Sequence, residues 1–254
     1  MDVRSHDIPP TYAVCHISPP HAPYTVTDPP TPLITRIEPL RPRGLCVRIH
    51  LDGDEPLEVT LEALELSRLG VGDTLTPPTR HNLLNADADV RVRQAALNLL
   101  SYRARTRQEL RLRLRQKGFS PTRIDPCLER LAARGLLDDA TVATAFVRDR
   151  LRLRPRGRAQ LMSELRAKGV GADLAQEIIE QVFEEEEVSD TDLARAAVEA
   201  WLSRQPADVK AVLLSDISEP KREKARRRLY GYLVRRGFRG DSLSEAMDSL
   251  IDLA

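Results

Sequence analysis

Aromatic residues are scarce: Phe, Tyr and Trp make up 4% of the 254 residues. A β-sandwich core leans on aromatic and β-branched side chains, so this scarcity argues for a set of small helical cores. Cysteine is rarer still. Cys15, Cys46 and Cys127 are odd in number and far apart, which argues against a disulfide framework or a zinc site and fits a reducing compartment. No apolar run approaches the roughly 18 residues a membrane span needs, and the first residues lack the apolar stretch of a secretory signal. A Walker-type lysine loop and a dinucleotide-binding glycine fingerprint are also missing. These absences predict a cytoplasmic protein with no cofactor, no metal and no catalytic centre of a familiar kind.

What is present is charge, unevenly spread. The net charge is +1. Residues 1–90 carry 7 basic and 13 acidic side chains, residues 91–170 carry 20 and 7, and residues 171–254 carry 12 and 18. A basic middle between acidic flanks predicts acidic partners, either nucleic acid or an acidic protein surface.

Ten of the 18 prolines fall within residues 1–42. That segment has too little to bury and reads as a disordered tail; Cys15, His16 and His21 lie in it with no metal-site spacing. Residues 43–88 read as a small β-containing module. Cys46–Leu51 and Leu57–Val59 are strand-like runs either side of Asp52-Gly53, a hairpin turn signal. A short helix from Leu61 to Arg68 follows, stopped by Gly70 and Gly72.

From about Asp89 onward the pattern is helical. Thr106 and Glu109 have the spacing of a capping box, and Gly118 supplies a left-handed end. Ser120-Pro121 starts the next helix, Gly135 ends it, and Asp138 or Asp139 caps another that stops before Pro155. The pentapeptide "RLRLR" occurs at 111–115 and 150–154. Its alternation mimics a strand, but helical phase puts Leu110 and Leu114 on one face and Leu112 on the far side.

Internal similarity fixes the architecture. A shift of 51 residues carries Leu110, Leu114, Gly118, Ile124, Leu128 and Leu131 onto Leu161, Leu165, Gly169, Ala175, Ile179 and Val182. A further 68 carries these onto Leu229, Leu233, Gly237, Leu243, Met247 and Leu250. Each unit reads as three helices, at 89–136, 137–187 and 188–254. The stretches "LSYRARTRQELRLRLRQKGF", "LAARGLLDDATVATAFVRDR" and "RPRGRAQLMSELRAKGV" resemble the RecX family of RecA regulators over about residues 90–250. The hairpin module resembles the N-terminal extension of longer members. Three features depart from the family pattern: Gln160-Leu161 stands where Glu-Leu is usual, the third unit carries an insertion around "SRQPADVKAVLLSDISEP", and the proline-rich tail has no counterpart.

The resemblance implies an all-α protein: tandem three-helix repeats forming an elongated curved rod, here with a small N-terminal β-hairpin module. It implies no catalysis, but binding in the groove of the RecA–DNA filament that suppresses ATPase, strand exchange and coprotease activity. The residues themselves point to a basic binding surface. Arg103, Arg105, Arg107, Arg111, Arg115 and Lys117 lie on one helix and its entrance. Arg150, Arg152, Arg154, Arg156 and Arg158 lie on a helix end and loop, and Lys168 ends the next helix. Arginine forks suit phosphate and carboxylate alike. The partners expected are RecA and its filament, with weak backbone contact to single- or double-stranded DNA, for a protein read as a monomer. The competing reading is an architectural nucleic-acid-binding protein that acts without RecA. Base stacking on single strands lacks a platform in the basic segment beyond Tyr102. Asp138-Asp139 reads as a cap rather than a metal pair, His50 and His81 lack a serine or cysteine partner by local motif, Glu184–Glu187 reads as a solvated helix end, and Trp201 reads as core.

Overall fold

Three strands lead into eleven helices in the computed structural model, which describes residues 31–41, 44–214 and 220–250. β1 (Ile34–Pro39), β2 (Cys46–Leu51) and β3 (Asp54–Thr60) form an antiparallel sheet in that order. The β2–β3 hairpin turns at Asp52-Gly53 as expected, with Gly53 at φ +72°. β1 overturns part of the disordered-tail expectation. Ile34 is fully buried and Ile37 pairs with Ile49. A short Pro-flanked run thus has enough apolar and β-branched character to add an edge strand, and Pro39 sits where pairing ends. Residues 1–30 of that tail, with Cys15, His16 and His21, lie outside the described residues.

α1 (Leu61–Ser67) is capped by Thr60 and ends on Arg68, which takes the left-handed conformation itself at φ +53°, before either expected glycine. α2 (Pro77–Tyr102) begins well before the helical start expected near Asp89. Thr76 caps it and two prolines fill the first turn, where their missing N–H groups cost nothing. The first half of α2 places Leu83 and Val90 in a core with the sheet; the second half places Val92 and Ala96 in the next core. Buried Asp87 fastens α2 to the end of β3, accepting from the Thr60 amide at 2.6 Å and from Arg91 Nε at 2.6 Å.

The remaining helices form the repeats. α3 (Arg107–Gln116) and α4 (Pro121–Ala133) join the end of α2. α5 (Asp139–Leu153), α6 (Arg158–Ala167) and α7 (Ala172–Glu185) make the second triplet. α8 (Asp190–Leu202), α10 (Pro220–Arg235) and α11 (Asp241–Asp248) make the third, with α9 (Ala207–Leu214) inserted. Every repeat-equivalent apolar residue aligned in the sequence is buried, from Leu110, Leu161 and Leu229 through Leu131, Val182 and Leu250. Burial of each Leu, Ile, Val or Met among them is worth roughly 1.5–3 kcal/mol. "RLRLR" is helical in both copies: Leu114 is buried while Leu112 is 55% exposed, and in the second copy Leu153 faces outward. The second and third triplets share one core, to which α9 adds Leu213 and against which Trp201 packs.

Candidate functional site

The N-terminus of α3 gathers Arg103, Arg107 and Lys168 of the predicted basic residues. Thr106 accepts from the Glu109 amide at 3.1 Å, and the Glu109 carboxylate reaches back to the Thr106 amide, completing the capping box. The second triplet then docks on this end. Thr106 Oγ1 donates to the Lys168 carbonyl at 2.6 Å, Lys168 Nζ binds Glu109 at 2.8 Å, and the Arg107 amide donates to Asp139 at 2.7 Å. Arg103 adds a second cation to Glu109 at 3.2 Å. Burial alone would raise the Glu109 pKa, but Lys168 and Arg103 outweigh it and hold the carboxyl at about 2.

The same joint recurs one repeat on. The Gly157 amide donates to the Arg236 carbonyl at 2.9 Å, and the Arg158 amide donates to Asp190 at 3.2 Å. These residues are the repeat equivalents of Thr106, Lys168, Arg107 and Asp139. The middle helices of the first two triplets, α3 and α6, thus each meet the Lys/Arg-Gly turn and the leading aspartate of the triplet that follows. The glycines are required twice over. Gly169 and Gly237 have φ +82° and +87°, and a Cβ on either would overlap Gln108 or Gln160. Gly118, at the same place in the first repeat, faces open space.

This geometry divides the predicted site. Arg103 and Lys168 are bound to Glu109. Arg150 and Arg156 lie 2.8 and 3.3 Å from Glu164. Arg158 pairs with Asp190, Arg111 pairs with Asp125 at 2.8 Å, and Arg105 donates to the Leu99 carbonyl. Arg150 and Lys168 also cover the Phe146 ring, and Arg158 covers Phe183. Arg152 reaches Glu186 only at 3.5 Å and is 69% exposed on its side chain. Among the described residues, the side chains of Arg107, Arg115, Lys117 and Arg154 have no such partner and stand free for a ligand. Asp138 caps α5 by accepting from the Ala140 and Thr141 amides, and Asp139 caps α3, so both aspartates act as helix caps. Glu185 and Glu186 pair with Arg148.

A second basic surface is hidden in the regional charge counts. α10 carries seven cations and one carboxylate, Glu223, yet averaging over residues 171–254 buries this beneath the acidic helices before it. A window of one helix length reveals it. Apart from Arg236, just past its end, which donates to the Pro155 carbonyl and stacks on Tyr232, the basic side chains around α10 have no ion pair or hydrogen bond among the described residues.

Fold and surface together define a helical-repeat protein, with free cations on α3, at the end of α5 and along α10. Comparison with known proteins agrees. The family model for the first three-helix domain of RecX matches residues 93–131, and that for the second three-helix domain matches 138–179. Regulatory protein RecX of Prosthecochloris aestuarii is 34% identical over 167 residues, which cover 65% of this chain and 98% of that protein. Regulatory protein RecX of Corynebacterium efficiens is 39% identical over 166 residues, covering 63% of this chain and 74% of the relative. A crystal structure of regulatory protein RecX superposes with a TM-score of 0.63 at 24% identity, over 85% of this chain and 99% of that one. The chain belongs to the RecX family, which is a family of regulatory proteins and not of enzymes.

Proposed function

We propose that the chain is a negative modulator of the RecA recombinase. It binds the RecA–DNA filament and suppresses its ATPase, strand exchange and coprotease activity. Family membership carries this reading, and the outward cations Arg107, Arg115, Lys117, Arg152 and Arg154 supply the contacts. They meet carboxylates of the filament surface or phosphates of the DNA within it. The chain acts as a monomer in the cytoplasm, with three-helix units at 89–136, 137–187 and 188–254 behind an N-terminal module that takes in β1. Successive repeats are keyed to each other through capped helix ends, so the array is stiff. A stiff element laid across neighbouring protomers favours one relative arrangement of them and opposes the movements that turnover needs.

The test is a titration of RecA ATPase on single-stranded DNA at low salt. Near-stoichiometric protein should lower the rate, and an unchanged rate overturns the reading. The rival, a nucleic-acid-binding protein indifferent to RecA, draws support from the free cations of α10. It requires tight binding to naked DNA together with unchanged filament activity.

A further inference from the structure

The geometry points to α10, with the adjoining face of α11, as a binding surface for a single polynucleotide strand, separate from the cations of α3 and α5. Its charge does not serve the fold. Arg222 and Arg226, and Lys224 and Arg228, are like-charge pairs one turn apart, an arrangement that weakens a helix. Lys221 and Arg222 stand in the first turn, where the helix dipole disfavours cations. A solvated surface kept for solubility would mix signs; along α10 itself one carboxylate stands among seven cations, and α11 adds Asp248 at the cleft. Lys221, Lys224, Arg228 and Arg235 fall at helical spacing along one stripe, which runs about 21 Å at 1.5 Å per residue. Such a stripe can follow a phosphodiester backbone.

The feature that selects a single strand lies on the next face of the helix, reached from the stripe past Arg227. Tyr230 is 53% exposed, the next turn along from Arg226 and Arg227. These three line a cleft of about 390 Å³ whose α11 wall includes Leu243 and Met247; Glu223 and Asp248 also line it. An aromatic face and an apolar floor flanked by Arg226 and Arg227 suit an unpaired base whose phosphates lie on those arginines, with the strand continuing past Arg227 onto the stripe. A duplex keeps its bases stacked inside and cannot use the cleft. An acidic protein would use the cations but would gain nothing particular from Tyr230.

This inference rests on the reading that the chain contacts nucleic acid, and not on its action on RecA. The experiment is therefore run without RecA. Fluorescence anisotropy of labelled oligo(dT), oligo(rU) and duplex DNA of equal length is measured with the full chain across a salt series. Oligo(dT) should bind tighter than duplex, and oligo(rU) bound as well as oligo(dT) marks the strand rather than the sugar as the ligand. Lys224→Gln with Arg228→Gln should flatten the salt dependence by about 0.7 in log–log slope for each phosphate no longer neutralised. Tyr230→Ala should weaken oligo(dT) about fivefold or more and leave duplex binding unchanged. Circular dichroism checks the helices; should Tyr230→Ala unfold, Tyr230→Leu, which keeps the apolar volume, carries the same test. Duplex bound as tightly as oligo(dT), or oligo(dT) binding unmoved by the α10 variants but abolished by Arg115→Gln and Lys117→Gln, overturns the proposal. A chain that binds oligo(dT) as expected yet leaves RecA ATPase unchanged upholds this surface and removes the RecA reading instead.

Discussion

Lys117 and Lys168 hold equivalent places in two repeats, each ending a middle helix and followed by a left-handed glycine. Lys168 is half-buried, bound to Glu109 and laid over Phe146. Lys117 is exposed and unpaired among the described residues. The difference is not in the motif but in what precedes it. The second Lys-Gly turn has the N-terminus of α3 to dock on, and the third, Arg236-Gly237, has the N-terminus of α6. The first has open space. One short pattern therefore serves as an inter-repeat joint where a preceding triplet exists and as free surface where none does.

The contrast can be broken at several points, from the largest expected effect to the smallest. Gly169→Ala should cost about 2–4 kcal/mol in urea unfolding, combining left-handed strain with overlap on Gln108. Gly118→Ala should cost about 1–2 kcal/mol, because only the strain applies there. Equal costs would mean that the joint is not sterically specified. Lys168→Glu sets a second carboxylate against Glu109 and should cost roughly 2–4 kcal/mol, while Lys117→Glu should stay within about 0.5 kcal/mol.

The joint should also titrate. Folding lowers the Glu109 pKa from 4.5 to about 2. A carboxyl depressed on folding adds stability above its unfolded pKa and loses it as the pH falls through the folded value. Stability should therefore drop between about pH 4.5 and 2, and Glu109→Gln should flatten that part of the profile; superimposable profiles for the two proteins would count against the joint. The smallest effect on the fold is expected at the free cations: Arg115→Glu with Lys117→Glu should leave the unfolding midpoint nearly unchanged while weakening inhibition of the RecA filament.

Much of this is legible in the sequence, for reasons that are local. The capping box at Thr106, the stop at Gly118 and the start at Ser120-Pro121 rest on residues within a turn or two of each other, and the 51- and 68-residue shifts compare segments that each carry such a local pattern. β1 is hidden because its strand character occupies only a few residues between Pro32 and Pro39, and its partner lies across a turn. The first half of α2 is hidden because two prolines and polar residues open it, and its helical state depends on Leu83 and Val90 finding the sheet. The basic site is legible as a cluster but not as a partition. Whether an arginine is free depends on carboxylates far away in the chain, as Glu109 is 59 residues from Lys168 and Glu185 is 37 from Arg148. Arg111 and Arg156, which composition alone puts among the binding residues, are held by Asp125 and Glu164. α10 disappears when charge is averaged over a window that also holds the acidic α7 and α8.

The measurement that goes most directly to the central claim, that paired cations hold the repeats together while free ones bind, takes two variants through two assays. Lys168→Glu and Arg115→Glu/Lys117→Glu are compared by urea unfolding and by titration against RecA ATPase at a temperature where both are folded. The account predicts that the double variant keeps wild-type stability and inhibits less, while Lys168→Glu is less stable and inhibits as well as the wild type once folded. Full inhibition by the double variant, or loss of inhibition confined to Lys168→Glu with its stability intact, would contradict it.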